Sequence, residues 1–421
     1  MSGRIELHGL AGPPGSALGE LLGTGLRRLP PGGGGEGEPI VGAITATDAD
    51  LAAAGADLAK GAARPEAMAA RLRRRGYAVS WGEPVRVADR AELLRRCRER
   101  GRASVAAVEA DPSLLGEMQV GSWFDSSWRL RALRRLLGGG SGRRLLALAA
   151  PRSPRWLAAL ADLVFWAGVR EAAADPLWRR LTASSYTALV YHRFAGELKP
   201  GQERIDISPR RFGRHLWALR LAGYRPLPAE RLLAFHAGEG EMPRRRVAIT
   251  IDDGVADCLR PLARHSDWSP QLFVPTAELG GQAHWIDGEE IATWEQIRAL
   301  AAGGVGIGSH TRHHRRLTAV EDEEREEELA GSLAELRQRL AEPLEILAYP
   351  NGDHDGAVCA AARAAGYRAA YTTEKGRNGA GTDPFRLRRV SVHGHDGVLA
   401  ILWKAATGEG LPGPWLRLRG R

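Results

Sequence analysis

The sequence has few cysteines and no long apolar run. Its three cysteines, Cys97, Cys258 and Cys359, are far apart and odd in number, which excludes a disulfide framework and a cluster of thiolate metal ligands. We therefore expect reduced, buried thiols, as in a cytoplasmic protein. The N-terminus has no apolar core of signal-peptide length, and the most apolar later stretch, 156–169, is too short to cross a bilayer. These absences predict a cytoplasmic protein without a transmembrane segment.

Basic residues exceed acidic ones, which gives the 421-residue chain a formal net charge of +9. Such a balance suits an acidic partner, but no run of lysine or arginine interleaved with aromatic residues indicates a nucleic-acid surface. The arginine excess accompanies high alanine, glycine and leucine contents, a bias that a GC-rich coding sequence would produce. We therefore expect no nucleic-acid partner. The length suggests two or three domains, and 44% apolar residues suffice for a sizeable core.

Composition divides the chain into four segments. Residues 1–38 are rich in glycine and proline, which predicts a flexible segment. Residues 39–115 alternate short apolar runs with helical stretches, and residues 116–185 carry many tryptophans at helix-like spacing, which predicts a helical connection. From residue 186 to residue 411, strands alternate with helices. This alternation predicts an α/β fold with a mainly parallel sheet or barrel.

Seven strands are predicted in the last segment: Ala188–Tyr191, Val247–Ile251, Gln271–Val274, Val305–Gly308, Glu345–Ala348, Ala369–Thr372 and Val390–Val392. The clearest helix runs from Glu321 to Leu340, with leucines on one face. Thr318 and Glu321 have the spacing of a capping box at its start.

The first chemical motif follows the strand predicted at Val247–Ile251. This β-branched run ends in two carboxylates, Asp252 and Asp253, and then Gly254. Residues at such strand ends face the active-site mouth in α/β folds. Neighbouring strand residues point to opposite sides, but the glycine permits a turn that brings both carboxylates to one site. Alone, the Asp-Asp-Gly sequence more often marks an ordinary polar turn.

A second motif, Ser309-His-Thr-Arg-His-His-Arg-Arg-Leu317, follows another predicted strand. His310 and His314 are four residues apart, which puts both imidazoles on one face of a helical turn, where they can share a divalent ion. His313 points elsewhere on such a turn. A surface helix with incidental histidines fits this motif alone equally well. Two histidines and a carboxylate together, however, make a three-ligand site with an open position, as hydrolytic zinc sites require.

With these motifs, the region from about Tyr186 to Gly397 resembles the polysaccharide deacetylase family, the NodB-homology domain of carbohydrate esterase family four. The motifs that carry the resemblance are, in chain order, Leu189-Val-Tyr-His-Arg193, Thr250-Ile-Asp-Asp-Gly254, Ser309-His-Thr-Arg-His-His-Arg-Arg-Leu317 and Ala348-Tyr-Pro-Asn-Gly352. The resemblance implies an irregular (β/α) barrel of about seven strands, preceded here by a smaller, mostly helical α/β region.

The resemblance also implies a metal centre. Asp253, His310 and His314 would bind the metal, and Asp252 would act as the general base. The cofactor would be a divalent ion, with Zn2+ expected and Co2+, Ni2+ or Mn2+ as alternatives. The substrate would be an acetylated sugar or glycan precursor.

Substrate and acid roles are carried over in the same way. The expected substrate-binding residues are Tyr349, Pro350 and Asn351, and a backbone N–H near Asn351 would stabilise an oxyanion. A late histidine would protonate the leaving amine, with His393 as the first candidate and His395 as the second.

The sequence also departs from the family pattern. Ala348 stands where many members have an arginine that steadies the catalytic aspartate, and the family's Asp-Trp motif is not evident between Asp355 and Gly366. His192, at a strand end, could line the cleft or be a core histidine. Trp294, like Tyr349, could stack on a sugar or belong to the core.

Residues 39–115 faintly resemble the C-terminal part of a family-two glycosyltransferase, through the stretch 70–81 and its continuation at 91–97 and 111–115. No nucleotide-sugar half precedes them, so the resemblance implies a degenerate, inactive remnant. A scaffold without that ancestry fits the same residues.

The leading hypothesis is a metal-dependent hydrolase that removes acetyl groups, mainly N-acetyl, from a sugar or polysaccharide precursor. One alternative is an amidohydrolase of a small cyclic amide or ureide on the same fold. Another is a non-catalytic glycan-binding protein with a vestigial metal site.

Overall fold

A computed structural model of the protein describes residues 4–7, 44–45, 78–81, 90–116, 118–137, 154–195, 206–286 and 288–411. The chain forms two compact units. One comprises Met1–Ala183 with Gly379–Gly381, and the other comprises Ser184–Asn378 with Thr382–Arg421.

The N-terminal unit combines a small sheet with helices, as predicted. Its strands are β1 (Arg4–Leu7), β2 (Ile44–Thr45) and β3 (Ala78–Trp81), and β1 pairs antiparallel with β2 and parallel with β3. Its helices are α1 (Arg90–Ala110), α2 (Trp128–Leu137), α3 (Pro154–Ala172) and α4 (Asp175–Thr182). The predicted flexible segment 1–38 thus contributes a strand. The rest of that segment and most of the glycosyltransferase-like stretch lie outside the described residues.

Helices α1 and α3 pack closely through two glycines. A Cβ atom on Gly101 would lie 2.1 Å from the carbonyl oxygen of Phe165, and one on Gly168 would lie 2.0 Å from that of Arg98. Side chains at these positions would therefore force the backbones apart. Nearby, the guanidinium of Arg134 donates to both carboxylate oxygens of Asp162, at 2.8 and 2.6 Å.

The C-terminal unit alternates strands and helices. Its strands are β4 (Ser185–Tyr191), β5 (Arg225–Pro226), β6 (Arg246–Ile251), β7 (Gln271–Val274), β8 (Gln282–Ala283), β9 (Glu289–Glu290), β10 (Gly306–Ser309), β11 (Ile346–Ala348), β12 (Ala369–Tyr371), β13 (Asn378–Gly379) and β14 (Arg389–Ser391). Its helices are α5 (Pro209–Leu221), α6 (Ala229–His236), α7 (Leu259–Arg264), α8 (Trp294–Ala302), α9 (Asp322–Glu326), α10 (Ser332–Arg339), α11 (Gly356–Ala364) and α12 (Val398–Thr407).

Seven parallel strands of this unit curl into an irregular barrel. They follow the order β12-β11-β10-β7-β6-β4, and β14 pairs with the far side of β4. A parallel bridge between Tyr371, in β12, and Leu387, just before β14, connects the two ends of this order. All seven are the strands expected from the sequence, so the predicted (β/α) barrel is confirmed. Because the strands are parallel, their carboxyl ends meet at one end of the barrel.

Alternation along the strands separates two environments. In β6, Val247, Ile249 and Ile251 join the large apolar cluster that the strands form with the helices. The residue between the last two, Thr250, instead lies within 3.4 Å of Arg389. This period of two leaves small and polar side chains inside the barrel, where a buried arginine has room.

The predicted helix from Glu321 to Leu340 is present, but its start differs from the prediction. It consists of α9 and α10 joined by a π-helical turn, Glu327–Gly331. Thr318 does not cap it, since its hydroxyl donates to a carboxylate oxygen of Asp353 at 2.6 Å. The predicted capping box is therefore wrong, because a tertiary partner engages the threonine.

All three cysteines are buried and free, as predicted. Within the described residues, no helix combines the length and apolarity needed to cross a membrane.

The contact between α1 and α3 gives a stability prediction. Gly168→Ala places a methyl group against the backbone of Arg98, so we expect it to lower the free energy of unfolding by about 1–3 kcal/mol, the usual cost of overpacking. Gly356→Ala is the matched control, because no atom lies within 4 Å of its Cβ position. Urea unfolding followed by circular dichroism measures both. Equal stability of Gly168→Ala and the wild type would contradict the close packing.

Candidate metal centre

Two buried carboxylates lie at the carboxyl end of β6. The backbone N–H of Asp252 continues the strand by donating to the carbonyl of Tyr191 at 3.1 Å. Asp253 and Gly254 then take left-handed backbone conformations, with φ of 72° and 68°, which most side chains avoid. Each aspartate is only 4% exposed. The turn expected at the glycine therefore includes Asp253 itself.

The loop after β10 carries the two histidines, and it is not helical. Residues 310–316 form bends and irregular backbone, with Thr311 at φ 66° and His314 at φ 57°. The prediction that a helical turn would bring His310 and His314 together is therefore wrong. Two left-handed residues achieve the same convergence, which the four-residue spacing alone could not reveal.

The neighbouring helix clamps this loop. Glu328, in the π turn, accepts hydrogen bonds from the backbone N–H groups of Arg312 and His313 at 3.0 and 2.9 Å, and contacts the His313 ring at 2.6 Å. Ser332 donates to the carbonyl of Thr311 at 3.0 Å. These bonds satisfy the polar groups that the irregular backbone leaves open. His313 is thereby directed to Glu328.

Asp253, His310 and His314 converge on one point. One ligand atom from each lies within 4.8 Å of the other two. The Oδ1 atom of Asp253 is 3.6 Å from Nε2 of His310 and 3.4 Å from Nε2 of His314. The Nδ1 atom of His310 lies 2.7 Å from the carbonyl of Ala348, which requires Nδ1 to donate and leaves Nε2 free for a cation. The donor set fits a divalent metal.

The charges at this point suit a cation. Burial by itself would raise the pKa of Asp253, but the adjacent imidazoles of His310 and His314 hold that pKa well below its usual range. Burial also acts to raise the pKa of Asp252, and the positive charge of Arg389 is the main effect that keeps it below the usual value. Burial lowers the pKa of His314, which favours the neutral imidazole that binds metal.

Arg389 is a site residue that sequence reasoning missed. Its guanidinium is fully buried in β14, and Nη1 donates to Oδ1 of Asp252 at 2.7 Å while Nε donates to the carbonyl of Thr372 at 3.0 Å. It supplies the charge that the sequence lacks at Ala348, from a different strand. The only signal in the sequence was an arginine beside a predicted buried strand.

His192 lies at the same end of the barrel as the two carboxylates, because β4 runs parallel to β6. It follows β4, and its charge is among those that lower the pKa of both Asp252 and Asp253. Its Nδ1 atom is buried and has no hydrogen-bond partner among the described residues. His393 follows β14, its backbone N–H donates to the carboxylate of Asp396 at 2.7 Å, and its ring stacks on His395.

The residues expected to bind substrate lie just beyond β11. The ring of Tyr349 is fully buried and its hydroxyl donates to the carbonyl of Phe385 at 3.1 Å. This tyrosine therefore belongs to the core. Pro350 is also buried. Asn351 is exposed and left-handed, with φ 57°, at the same end of the barrel as the aspartates. Trp294 is half-buried under Arg339.

A second residue missed from the sequence, Trp285, contacts two of the candidate ligands. Its indole N–H donates to Oδ1 of Asp253 at 3.1 Å. Its ring stacks on His314 with centroids 4.3 Å apart and planes 10° apart. It lies in the turn between β8 and β9, for which periodicity gives no signal.

Comparison with known proteins agrees with this site. Residues 239–370, which include both aspartates and both histidines, match the family model described as polysaccharide deacetylase. The Bacillus subtilis (strain 168) protein YxkH, provisionally named a polysaccharide deacetylase, is 24% identical over 207 residues, which is 48% of this chain and 70% of the relative.

Solved structures similar to this chain include those of PplD and IcaB. The deacetylase PplD of Streptococcus pyogenes, in complex with acetate, is 18% identical with a TM-score of 0.47, and the match covers 52% of this chain and 98% of that protein. IcaB of Ammonifex degensii is 25% identical with a TM-score of 0.45, and the match covers 50% and 92%. The similarity to polysaccharide deacetylases therefore lies in the C-terminal domain of this chain, with the family match over residues 239–370.

Proposed function

We propose that this domain removes acetyl groups, mainly N-acetyl, from a sugar or polysaccharide precursor in a metal-dependent hydrolysis. One observation carries the proposal. Asp253, His310 and His314 converge on a single point, and a second buried carboxylate, Asp252, stands beside them with its own arginine. A three-ligand centre with an adjacent base is the arrangement that metal-assisted hydrolysis requires.

Zinc is the metal that we propose. Two imidazoles and one carboxylate form a ligand set typical of catalytic zinc sites, which keep one coordination position open. Co2+, Ni2+ and Mn2+ are the alternatives. A divalent ion at this position would polarise the acetyl carbonyl and lower the pKa of water.

Asp252 accepts the proton of the attacking water in this mechanism. Its pKa below the usual value keeps the carboxylate ionised, and the bond from Arg389 fixes its orientation. Adding hydroxide to the acetyl carbon gives a tetrahedral intermediate, whose oxyanion an N–H near Asn351 helps to stabilise. Breaking the C–N bond then releases acetate and an amine.

The leaving amine must receive a proton, and His192 is the residue we propose to donate it. Its charge contributes to the lowered pKa of both aspartates, and its Nδ1 atom is buried with no hydrogen-bond partner in the part of the chain that the structure describes. His393, the first candidate from the family pattern, is the alternative acid. The two histidines follow adjacent strands, β4 and β14, so one experiment can separate them.

His310→Ala should abolish stoichiometric metal binding, because it removes one of three ligands. Metal content after dialysis against one equivalent of zinc, measured by inductively coupled plasma mass spectrometry, provides the test. His265→Ala, a histidine at the end of α7, is the control and should bind metal like the wild type. Unchanged metal content in His310→Ala would remove this residue from the centre.

Asp252→Asn should keep the metal and lose catalysis. We expect kcat to fall by about 10²–10⁴-fold, the usual contribution of a general base, while metal content stays stoichiometric. Acetate release from N-acetylated oligosaccharides and from nucleotide- or lipid-linked precursors measures the effect. Wild-type turnover by this variant would show that another group is the base. If the wild type binds metal but releases acetate from none of these substrates, the result would favour an amidohydrolase of a small cyclic amide.

His192→Asn and His393→Asn should differ in their dependence on the leaving group. If His192 is the acid, His192→Asn should lower acetamide hydrolysis by about 10²-fold or more and His393→Asn should lower it much less. p-Nitrophenyl acetate releases a group that needs no proton, so His192→Asn should hydrolyse it nearly as fast as the wild type. The reverse pattern would assign the acid to His393.

A further inference from the structure

A short hairpin follows β7 and contacts the chain next to Asp252 and Asp253. Its strands are β8 and β9, paired antiparallel. At its base, Ile291 forms an antiparallel bridge with Val255, and the N–H of Ala292 donates to the carbonyl of Gly254 at 2.9 Å. The end of the hairpin therefore lies against Gly254 and Val255, the residues that directly follow Asp252 and Asp253.

The hairpin has its own apolar cluster. Val255, Ala283, Ile286 and Ile291 are buried against one another, and Trp285 packs on them. Burial of this kind holds a short connection in one conformation. The position of the Trp285 ring is thus set by packing as well as by its polar contact.

An ion pair holds β9, the second strand of the hairpin. Glu289, in β9, is 2.7 Å from Nη2 of Arg193, whose side chain is only 4% exposed. The same guanidinium lies 3.4 Å from Asp206. Arg193 directly follows His192, so this ion pair connects the hairpin to another strand end at the site.

Trp285 contacts the candidate ligands in two ways. Its N–H donates to Oδ1 of Asp253, the oxygen that is closest to both imidazoles. Its ring face lies on His314, nearly parallel to it. The indole N–H never titrates and cannot accept a hydrogen bond, so it orients the carboxylate without competing for the cation.

We propose that Trp285 is a positioning residue for the metal ligands and that the hairpin holds it in place. The proposal rests on the metal centre proposed above. By fixing the carboxylate oxygen and the plane of the imidazole before the ion arrives, Trp285 raises metal affinity. Outer contacts of this kind are typically worth 10–100-fold in metal affinity.

Two variants separate the contacts of Trp285. Trp285→Phe keeps an aromatic face for His314 and removes the N–H, whereas Trp285→Leu removes both. The control is Trp294→Phe, a half-buried tryptophan at the start of α8. Zn2+ affinity is measured by competition with a chromogenic chelator. Alongside it, kcat and KM at saturating Zn2+ and the melting temperature of the metal-free protein are measured.

We expect Trp285→Phe to weaken Zn2+ binding by about 10-fold and Trp285→Leu by more, with kcat largely recovered at saturating Zn2+. Trp294→Phe should match the wild type. Wild-type Zn2+ affinity in both Trp285 variants would overturn the proposal, and a raised KM with unchanged affinity would make Trp285 a substrate contact instead. A lower melting temperature with unchanged affinity would reduce it to a packing residue.

The hairpin itself is tested by Glu289→Gln against its exposed neighbour, Glu290→Gln. Loss of the ion pair with Arg193 should weaken Zn2+ binding by several-fold, and the neighbouring substitution should not. Equal affinities would overturn the role of the hairpin. Failure of the wild type to bind Zn2+ would instead contradict the proposed function. The wild-type measurement alone shows this outcome, so it is distinct from a failure of the Trp285 proposal.

Discussion

Asp252 and Asp253 are adjacent carboxylates, and both are almost completely buried. Removing a carboxylate from water costs several kcal/mol unless a positive charge or hydrogen-bond donors compensate it, and two neighbours also repel each other. In the structure, each of the two carboxylates has different neighbours that compensate its charge. Arg389 neutralises Asp252, and His310, His314 and Trp285 surround Asp253. The second group is the ligand set of the proposed metal centre.

This division gives the two aspartates different chemistry. Asp252 is held by a buried guanidinium that keeps its positive charge, which leaves a fixed, ionised carboxylate suited to accepting a proton. Asp253 faces two imidazole nitrogens and suits metal binding. The supports come from elements outside the strands: Glu328 and Ser332 hold the histidine loop, and the hairpin holds Trp285. Contacts of this kind orient the side chains that would bind the metal.

The strands and the grouping of Asp253, His310 and His314 could be predicted from the sequence, because buried parallel strands leave apolar runs and their ends carry the polar residues. The backbone geometry that brings these residues together could not be predicted. The spacing of His310 and His314 suggested a helical turn, whereas the backbone reaches the same point through left-handed residues. Arg389 and Trp285 reach the site from other strands and loops, and no local pattern encodes such tertiary pairs. Thr318 likewise serves Asp353 rather than the helix that its spacing suggested.

The most direct test of the central claim is X-ray absorption at the zinc edge on protein loaded with one equivalent of Zn2+. The account predicts a shell of nitrogen and oxygen atoms with two imidazoles, at Zn–N distances of about 2.0–2.1 Å, and no sulfur. In His314→Ala the imidazole scattering should decrease. A shell without imidazole, or one containing sulfur, would contradict a centre built from Asp253, His310 and His314.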